Sequence, residues 1–548
     1  MISTDRWNPA DGLVLEPNAF RAATENEHNL VLTAGPGAGK TEMLAQRADF
    51  LLRTGTCRYP KRILAISFKV DASRNLKERI KRRCGGELSS RFDSYTFDAF
   101  AKRIVDRFRP ILQGELSLEA GFSIGERVPH KQVSFEDLVP LAIHILRESP
   151  MALNAVRQTY TDAFLDEFQD CTNHQYELIK LIFKGTRIRV TAVGDTKQKI
   201  MGWAGALDGI FETFRNDFSA TPLNMYRNFR SKPRLLRMQN EIIRDLDPPS
   251  VMPDEQISGE GGCIEVHPFQ DCQQEAEYLA DRIESWIKDD NISPSEIAVL
   301  VRNQLDLYAR PLMVALGERG IPFRNEQDLQ DISVEPATRL VVDFLLCSFG
   351  RKEPFAWTRL MEQLVPFTED DDKRDALILG WQRFIVSERE QVIDNPIVYD
   401  NPKRWDCLRR FVSKIGFPML VSLSHDYENK SRLREVLKRT CSKLDSFLSS
   451  GLSLEESLKR FEDDKAVRVL TVHKSKGLEF DSVILLGIED QCYFGDPQES
   501  LCTFFVGVSR AKRQLLLSHA DFRSRPEGFS GWWIYPRNRK QQYLDYIN

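Results

Sequence analysis

The chain has no CxxC pair, no uninterrupted apolar run long enough to span a bilayer and no excess of positive charge. Each absence removes a class of function. Ten cysteines are scattered through 548 residues without the Cys/His spacing that a zinc or iron–sulfur site requires. They read as reduced thiols of a cytoplasmic protein. Met1 to Asp11 lacks a basic segment followed by an apolar one, so neither export nor membrane insertion is expected. Lys and Arg total 76 against 80 Asp and Glu, a formal net charge of -4, which excludes a generic polycation that coats nucleic acid. Phosphate binding would need a local basic track. The candidates are Lys77, Arg79, Lys81, Arg82 and Arg83, then Arg103, Arg107 and Arg109, and finally Arg537, Arg539 and Lys540. Any one of these patches reads more readily as a solvated helix face or tail. No internal repeat or low-complexity tract is present.

Hydrophobic residues make up 42% of the chain, enough for globular cores, and a domain size of roughly 100 to 200 residues implies three or four folded units. The first segment alternates short apolar strands with amphipathic helices: strand Leu30 to Thr33, helix Lys40 to Leu52, strand Arg62 to Ser67, helix Ala72 to Lys81. This alternation belongs to a parallel α/β sheet. Strands Ala163 to Leu165 and Ile188 to Val193 continue it after a mostly helical, polar insertion from Pro110 to Tyr160. A second α/β segment begins near Leu223, with helix Tyr278 to Ile287 and strand Ile297 to Val301. Helical periodicity then dominates from about Gly350 to Asp464, before strands resume at Val467 to Val472, Val483 to Leu486 and Leu515 to Ser518. Two α/β cores, each interrupted by a helical insertion, are therefore expected.

The first strand runs into Ala34-Gly35-Pro36-Gly37-Ala38-Gly39-Lys40-Thr41 and then a helix, which is the setting a phosphate-binding loop requires. Small residues let backbone N–H groups close around phosphates, Lys40 can reach the β and γ phosphates, and Thr41 can offer its hydroxyl to Mg²⁺. Ala34 replaces the first glycine of the usual pattern and keeps the cradle small. A second element, Phe164 to Asp170, sets Asp166 and Glu167 directly after an apolar strand. Asp166 can hold the Mg²⁺ shell while Glu167 polarises the attacking water. An acidic run by itself could equally be a helix N-terminus answering its own dipole. Its pairing with the Gly-Lys-Thr loop favours catalysis.

Asp166, Glu167, Gln169 and Asp170 form a DExQD element that resembles the superfamily 1 helicases related to UvrD, Rep and PcrA, and further motifs of that family follow in order. They are Ser67-Phe68-Lys69, Thr96 to Phe100, Val193 to Gln198, Asn228-Phe229-Arg230-Ser231, Thr471 to Phe480 and Val506 to Lys512. The resemblance implies two RecA-like P-loop NTPase motor lobes, each with a helical insertion. These are 1–109 with 161–222, interrupted by 110–160, and 223–349 with 465–548, interrupted by 350–464. It implies ATP and Mg²⁺ as cofactors, with Lys40, Asp166, Glu167, Gln198, Arg230 and Arg510 catalytic and Gln198 sensing the γ-phosphate. The implied nucleotide set runs from Ala34 to Glu42 and adds Phe229 stacking on adenine, Arg230 and Arg510 at the γ-phosphate, and Glu479 at the ribose. Independently, two guanidiniums suit a site where charge develops, and an arginine from a mobile lobe couples hydrolysis to closure.

For nucleic acid, the resemblance implies stacking on Phe68 and Trp203, with Lys69, Thr96 and His473 at the phosphates. An arbitrary aromatic is more often a core residue. The chain departs from relatives at Met201, Ala204 and Asp98, near these positions, and no glutamine lies in Leu15 to Arg21, where relatives read adenine. The function expected is a 3′-to-5′ translocase and helicase on single-stranded and tailed duplex DNA, serving repair or antiphage defence. In size and layout the chain is similar to the helicase subunit of the bacterial Gabija antiphage system, which implies a partner nuclease of OLD-family type. The alternative is a DNA-stimulated NTPase switch that regulates such a nuclease without unwinding. A binding scaffold with a dead nucleotide site does not fit the intact Lys40, Asp166, Glu167 and Arg510. A metabolite kinase would not carry Gln198, His473 and Arg510 in this order.

Overall fold

The computed structural model describes every residue except 1, 69, 121, 125–126, 201–205, 326–334, 351–352, 366–370, 395–396, 424–426, 428–429, 450, 463–465, 527–528 and 548. Lys69 and Trp203, together with Met201 and Ala204, therefore lie outside the described residues. Two compact units are present: Met1–Leu118, Val133–Phe323 and Val467–Asn548 form one, and Glu119–Gln132 with Arg324–Ala466 the other.

The chain forms two six-stranded sheets. One is built from β1 (Leu30–Ala34), β2 (Arg62–Ser67), β3 (Phe92–Thr96), β6 (Tyr160–Leu165), β7 (Arg189–Gly194) and β8 (Thr221–Met225) in the order β3-β2-β6-β7-β1-β8, while β4 (Ser123–Ile124) and β5 (Gln132–Val133) pair separately. The other takes β9 (Cys263–Asp271), β10 (Ile297–Val301), β11 (Phe323–Asn325), β12 (Val467–Thr471), β13 (Phe480–Leu485) and β14 (Ala511–Phe522) in the order β11-β12-β10-β13-β14-β9. Pairing is parallel throughout the first sheet and from β12 to β9 in the second. Central strands of such a sheet are covered on both faces and read as continuous apolar runs. All five residues of β10 are buried, and its sequence-predicted limits coincide with the observed ones.

Strands that the sequence pattern misses lie at sheet edges. The strands β3 (FDSYT), β8 (TPLNM) and β9 (CIEVHPFQD) each have a neighbour on one side only. Half-covered strands tolerate polar residues, and an edge tolerates the proline at position 222. Leu223, expected to open the second α/β segment, is instead an interior residue of β8, which pairs with β1 from Thr221 to Met225.

The helices Phe135–Glu148 and Pro150–Thr159 belong to the first unit. The second unit is helical across its described residues from 336 to 462, around a core in which Phe344 stacks on Phe411 at 3.9 Å and Trp381 meets the latter edge-on. Among the described residues no helix is long and apolar enough to cross a membrane.

Candidate nucleotide site

The phosphate loop leaves the carboxyl end of β1 and enters the helix Lys40–Arg53 through Gly39, which is left-handed at φ 81°. Gly37 (φ 71°) is required on two counts, because a Cβ there would also stand 2.3 Å from the Asn228 side-chain oxygen. Lys40 Nζ folds back onto the carbonyls of Ala34 and Gly35, at 3.1 and 3.5 Å. The helix N-terminus and this ammonium together make the loop an anion site.

Two strands away, β6 delivers Asp166 and Glu167. Asp166 N–H donates to the Ile66 carbonyl at 3.0 Å, and Glu167, held at φ 51°, donates its own N–H to Asp166 Oδ1 at 3.0 Å. A left-handed non-glycine residue stores strain, and a site that over-determines it keeps its side chain aimed. Gln169 Nε2 donates to Glu167 Oε2 at 2.6 Å, while its Oε1 accepts from Asp195 N–H at 3.0 Å. Gly194 makes room for this bridge, since a Cβ there would come within 2.1 Å of Gln169 Oε1. Burial, reinforced by Glu167, raises the Asp166 carboxyl. Burial also opposes the Glu167 carboxylate, but Lys40 and Lys476 outweigh it and hold that group below its usual range.

Charge from the second sheet faces this loop. Arg510, 1% exposed, precedes β14. Its Nη2 donates to Gln198 Oε1 at 3.0 Å, and Nε and Nη1 donate to the carbonyls of Val506 and Leu478 at 2.9 and 3.1 Å. Burial, with Arg230 nearby, lowers this guanidinium to about 9. Arg230 donates to Glu479 Oε2 at 2.8 Å and to the Ser509 carbonyl at 2.9 Å. Phe229 N–H donates to the Gly37 carbonyl at 2.9 Å, and its ring is 56% exposed, with the Arg227 guanidinium 5.0 Å from the centroid. A cleft of about 520 Å³ is lined by Gly35, Pro36, Gly37, Ala38, Gly39, Lys40, Thr41, Glu42, Glu167, Gln198, Phe229, Arg230, Glu479 and Arg510. Ala34 and Asp166 are buried, 2% and 4% exposed, and are absent from its lining.

Several residues of the site were assigned no role in it from the sequence. Lys476 Nζ donates to Asp170 Oδ2 at 2.5 Å and to the Gln198 carbonyl at 2.9 Å, and stands 3.9 Å from Glu167. From the sequence it is visible only as a member of the Thr471 to Phe480 motif, with no role of its own. Asn75 and Arg79 also line the cleft, and Arg79 and Arg83 pair with Glu42 at 3.1 and 2.9 Å. The Glu42 carboxylate is thereby engaged by two guanidiniums.

The site fits a divalent cation shared with nucleotide phosphates. Asp166 and Glu167 are adjacent carboxylates at one buried locus, Glu167 sharing the cleft with Thr41, and their mutual repulsion is what a cation would relieve. Among the described residues no group of three or more His, Cys, Asp or Glu could hold a metal alone. Mg²⁺ commonly takes one or two protein carboxylates and completes its shell from phosphates and water.

The nucleic-acid residues expected from the sequence are more dispersed. Phe68 follows β2 and leans on Phe97 with ring centroids 5.0 Å apart. Thr96 caps the helix Phe97–Phe108, accepting from Ala99 N–H at 3.2 Å. Burial raises the neighbouring Asp98 carboxyl. The His473 ring bonds to backbone of Arg302 and of Ile200, and burial lowers its pKa. Asn18 spends its amide on the Asn224 carbonyl of β8 at 2.7 Å, which ties the first long helix to the sheet edge. In the C-terminal basic patch Arg537 is buried against Trp533 and Tyr308, and Lys540 pairs with Asp490 at 3.0 Å. These charges go into folding the tail.

Residues 15–128 and 127–219 match the UvrD/REP helicase N-terminal domain, and residues 223–374 and 380–521 the UvrD-like helicase C-terminal domain. DNA helicase II of Haemophilus influenzae is 24% identical over 71% of this chain, which covers 59% of that relative's length. DNA helicase II of Escherichia coli is 23% identical over 90% of this chain and 83% of its own. ATP-dependent DNA helicase PcrA of Bacillus subtilis is 22% identical over 93% and 83% respectively.

Proposed function

This chain belongs to the UvrD-like helicase family, and from that premise we propose that it is an ATP-dependent DNA helicase that translocates 3′-to-5′ on single-stranded DNA. The observation that carries the catalytic reading is the convergence of the phosphate loop, Glu167, Gln198, Arg230 and Arg510 on one cleft. Lys40, now resting on loop carbonyls, exchanges them for the β and γ phosphates. Glu167, kept ionised by Lys40 and Lys476 and aimed by Gln169, accepts a proton from the attacking water. Thr41 and Asp166 would hold Mg²⁺, which neutralises charge on the phosphate oxygens.

Arg230 and Arg510 stabilise the charge developing at the γ-phosphate. Both reach from the second lobe, so transfer requires the lobes to close and product release lets them part. Phe229 offers an exposed face to the base, and Glu479 an acceptor to the ribose. We further infer a partner nuclease of OLD-family type in a repair or antiphage complex, on the resemblance to the Gabija helicase subunit.

ATP turnover with and without single-stranded DNA, together with displacement of 3′- and 5′-tailed duplexes, tests this reading on wild type and Lys40→Ala. Displacement from the 3′-tailed duplex alone, lost in the variant, is expected. Turnover without displacement would select a DNA-stimulated NTPase switch instead, and no turnover under any condition would overturn both.

A further inference from the structure

The strands β12, β10 and β13 lie side by side in the second sheet, so the residues that leave their carboxyl ends gather at one edge. His473 follows β12, Arg302 follows β10, and the loop bearing Phe494 follows β13. Phe494 is 57% exposed. Its loop is nevertheless anchored at several points. Glu489 is fully buried against Arg523 at 2.6 Å, Asp490 N–H donates to the Asn538 carbonyl at 2.9 Å, and Asp496 caps the next helix through Glu499 N–H at 2.8 Å. A large ring fixed in solvent by a rigid loop gains nothing from packing.

Arg302 lies against that ring. Its guanidinium carbon is 4.8 Å from the Phe494 centroid and 5.7 Å from that of Tyr493, and Nη1 donates to the Cys492 carbonyl at 2.8 Å. Of the neighbouring acids, Asp496 is spent on its helix cap and Asp490 on Lys540, while Glu499 acts on His473. The edge therefore presents an aromatic face with a cation beside it and His473 bonded to the Arg302 backbone.

We propose that Phe494 is a base-stacking platform for single-stranded DNA on the second lobe, with Arg302 holding the ring and turning positive charge toward the strand. Base–aromatic stacking tolerates any sequence because every base has a π-face, and an adjacent guanidinium serves the phosphates. Phe68 stands at the carboxyl end of β2, so each sheet offers one aromatic at the same kind of edge. The assignment rests on the reading of the chain as a motor on DNA.

Fluorescence anisotropy with labelled oligo-dT, without nucleotide, tests it on wild type, Phe494→Ala, Phe494→Trp and a control, Trp532→Ala, at an 86% exposed tryptophan. Phe494→Ala is expected to weaken binding about tenfold, the loss of one stack, with Phe494→Trp and Trp532→Ala binding as wild type does. On an abasic strand of equal length, wild type and Phe494→Ala should bind alike. Wild-type affinity in Phe494→Ala, or an equal loss on the abasic strand, overturns the platform while leaving the motor intact. Failure of the wild type to bind any single strand overturns the motor reading and the platform with it.

Discussion

The first sheet is parallel, as is the second from β12 to β9, yet they turn opposite ends toward the nucleotide cleft. The first presents carboxyl ends: the phosphate loop after β1, Asp166 and Glu167 after β6, and Gln198 beyond β7. The second presents amino ends, with Glu479 immediately before β13 and Arg510 immediately before β14. Carboxyl ends feed helix N-termini and short loops, which suit a rigid cradle for anions. Long guanidinium side chains reaching from amino ends suit a part that must arrive and leave. On the proposed function, one lobe holds phosphates and the other completes the charge around them.

Replacing one group on each side tests that division. Arg510→Ala should cut ATP turnover by about 10³-fold or more, and Glu167→Gln by about 10²- to 10⁴-fold, with nucleotide binding largely kept in both. Single-turnover kinetics beside equilibrium nucleotide binding would read this, and loss of binding in step with turnover would dissolve the distinction. Glu167→Gln should also hold DNA in the ATP-bound state, and unchanged hydrolysis in that variant would overturn Glu167 as the base.

The hinge of the comparison is the ion pair of Lys476 and Asp170, both nearly out of solvent. Lys476→Met leaves a buried carboxylate uncompensated, at a cost of about 3 to 5 kcal/mol. A lowered melting temperature is expected, with partial recovery in the Asp170→Asn, Lys476→Met double variant. A smaller effect, about 1 kcal/mol, is expected for Asn18→Ala, which removes one hydrogen bond to β8. An unchanged ATP preference over GTP in that variant would fit a purely structural Asn18, whereas relaxed preference would give it a part in base recognition.

Buried central strands were legible because they are apolar throughout. The strands β3, β8 and β9 were not, because an edge demands less of its residues. In the same way the phosphate loop and the DExQD element were visible as contiguous runs, whereas the pairing of Lys476 was not. Its partner Asp170 lies 306 positions away, and Gln198 and Arg510 are 312 apart. No local periodicity carries such a pairing.

On the proposed function, the sequence by itself carried the chemistry: a glycine-rich turn after a buried strand, with its lysine, the carboxylates and the arginines, supplies what phosphoryl transfer requires. Tertiary structure alone decided which end of each sheet faces the cleft, that Asn18 braces a strand, that the terminal basic residues fold the tail, and that Lys476 steadies Glu167. Local backbone sterics act between neighbours in the chain and can be read in order. Burial and charge pairing act between neighbours in space, and only packing brings those together.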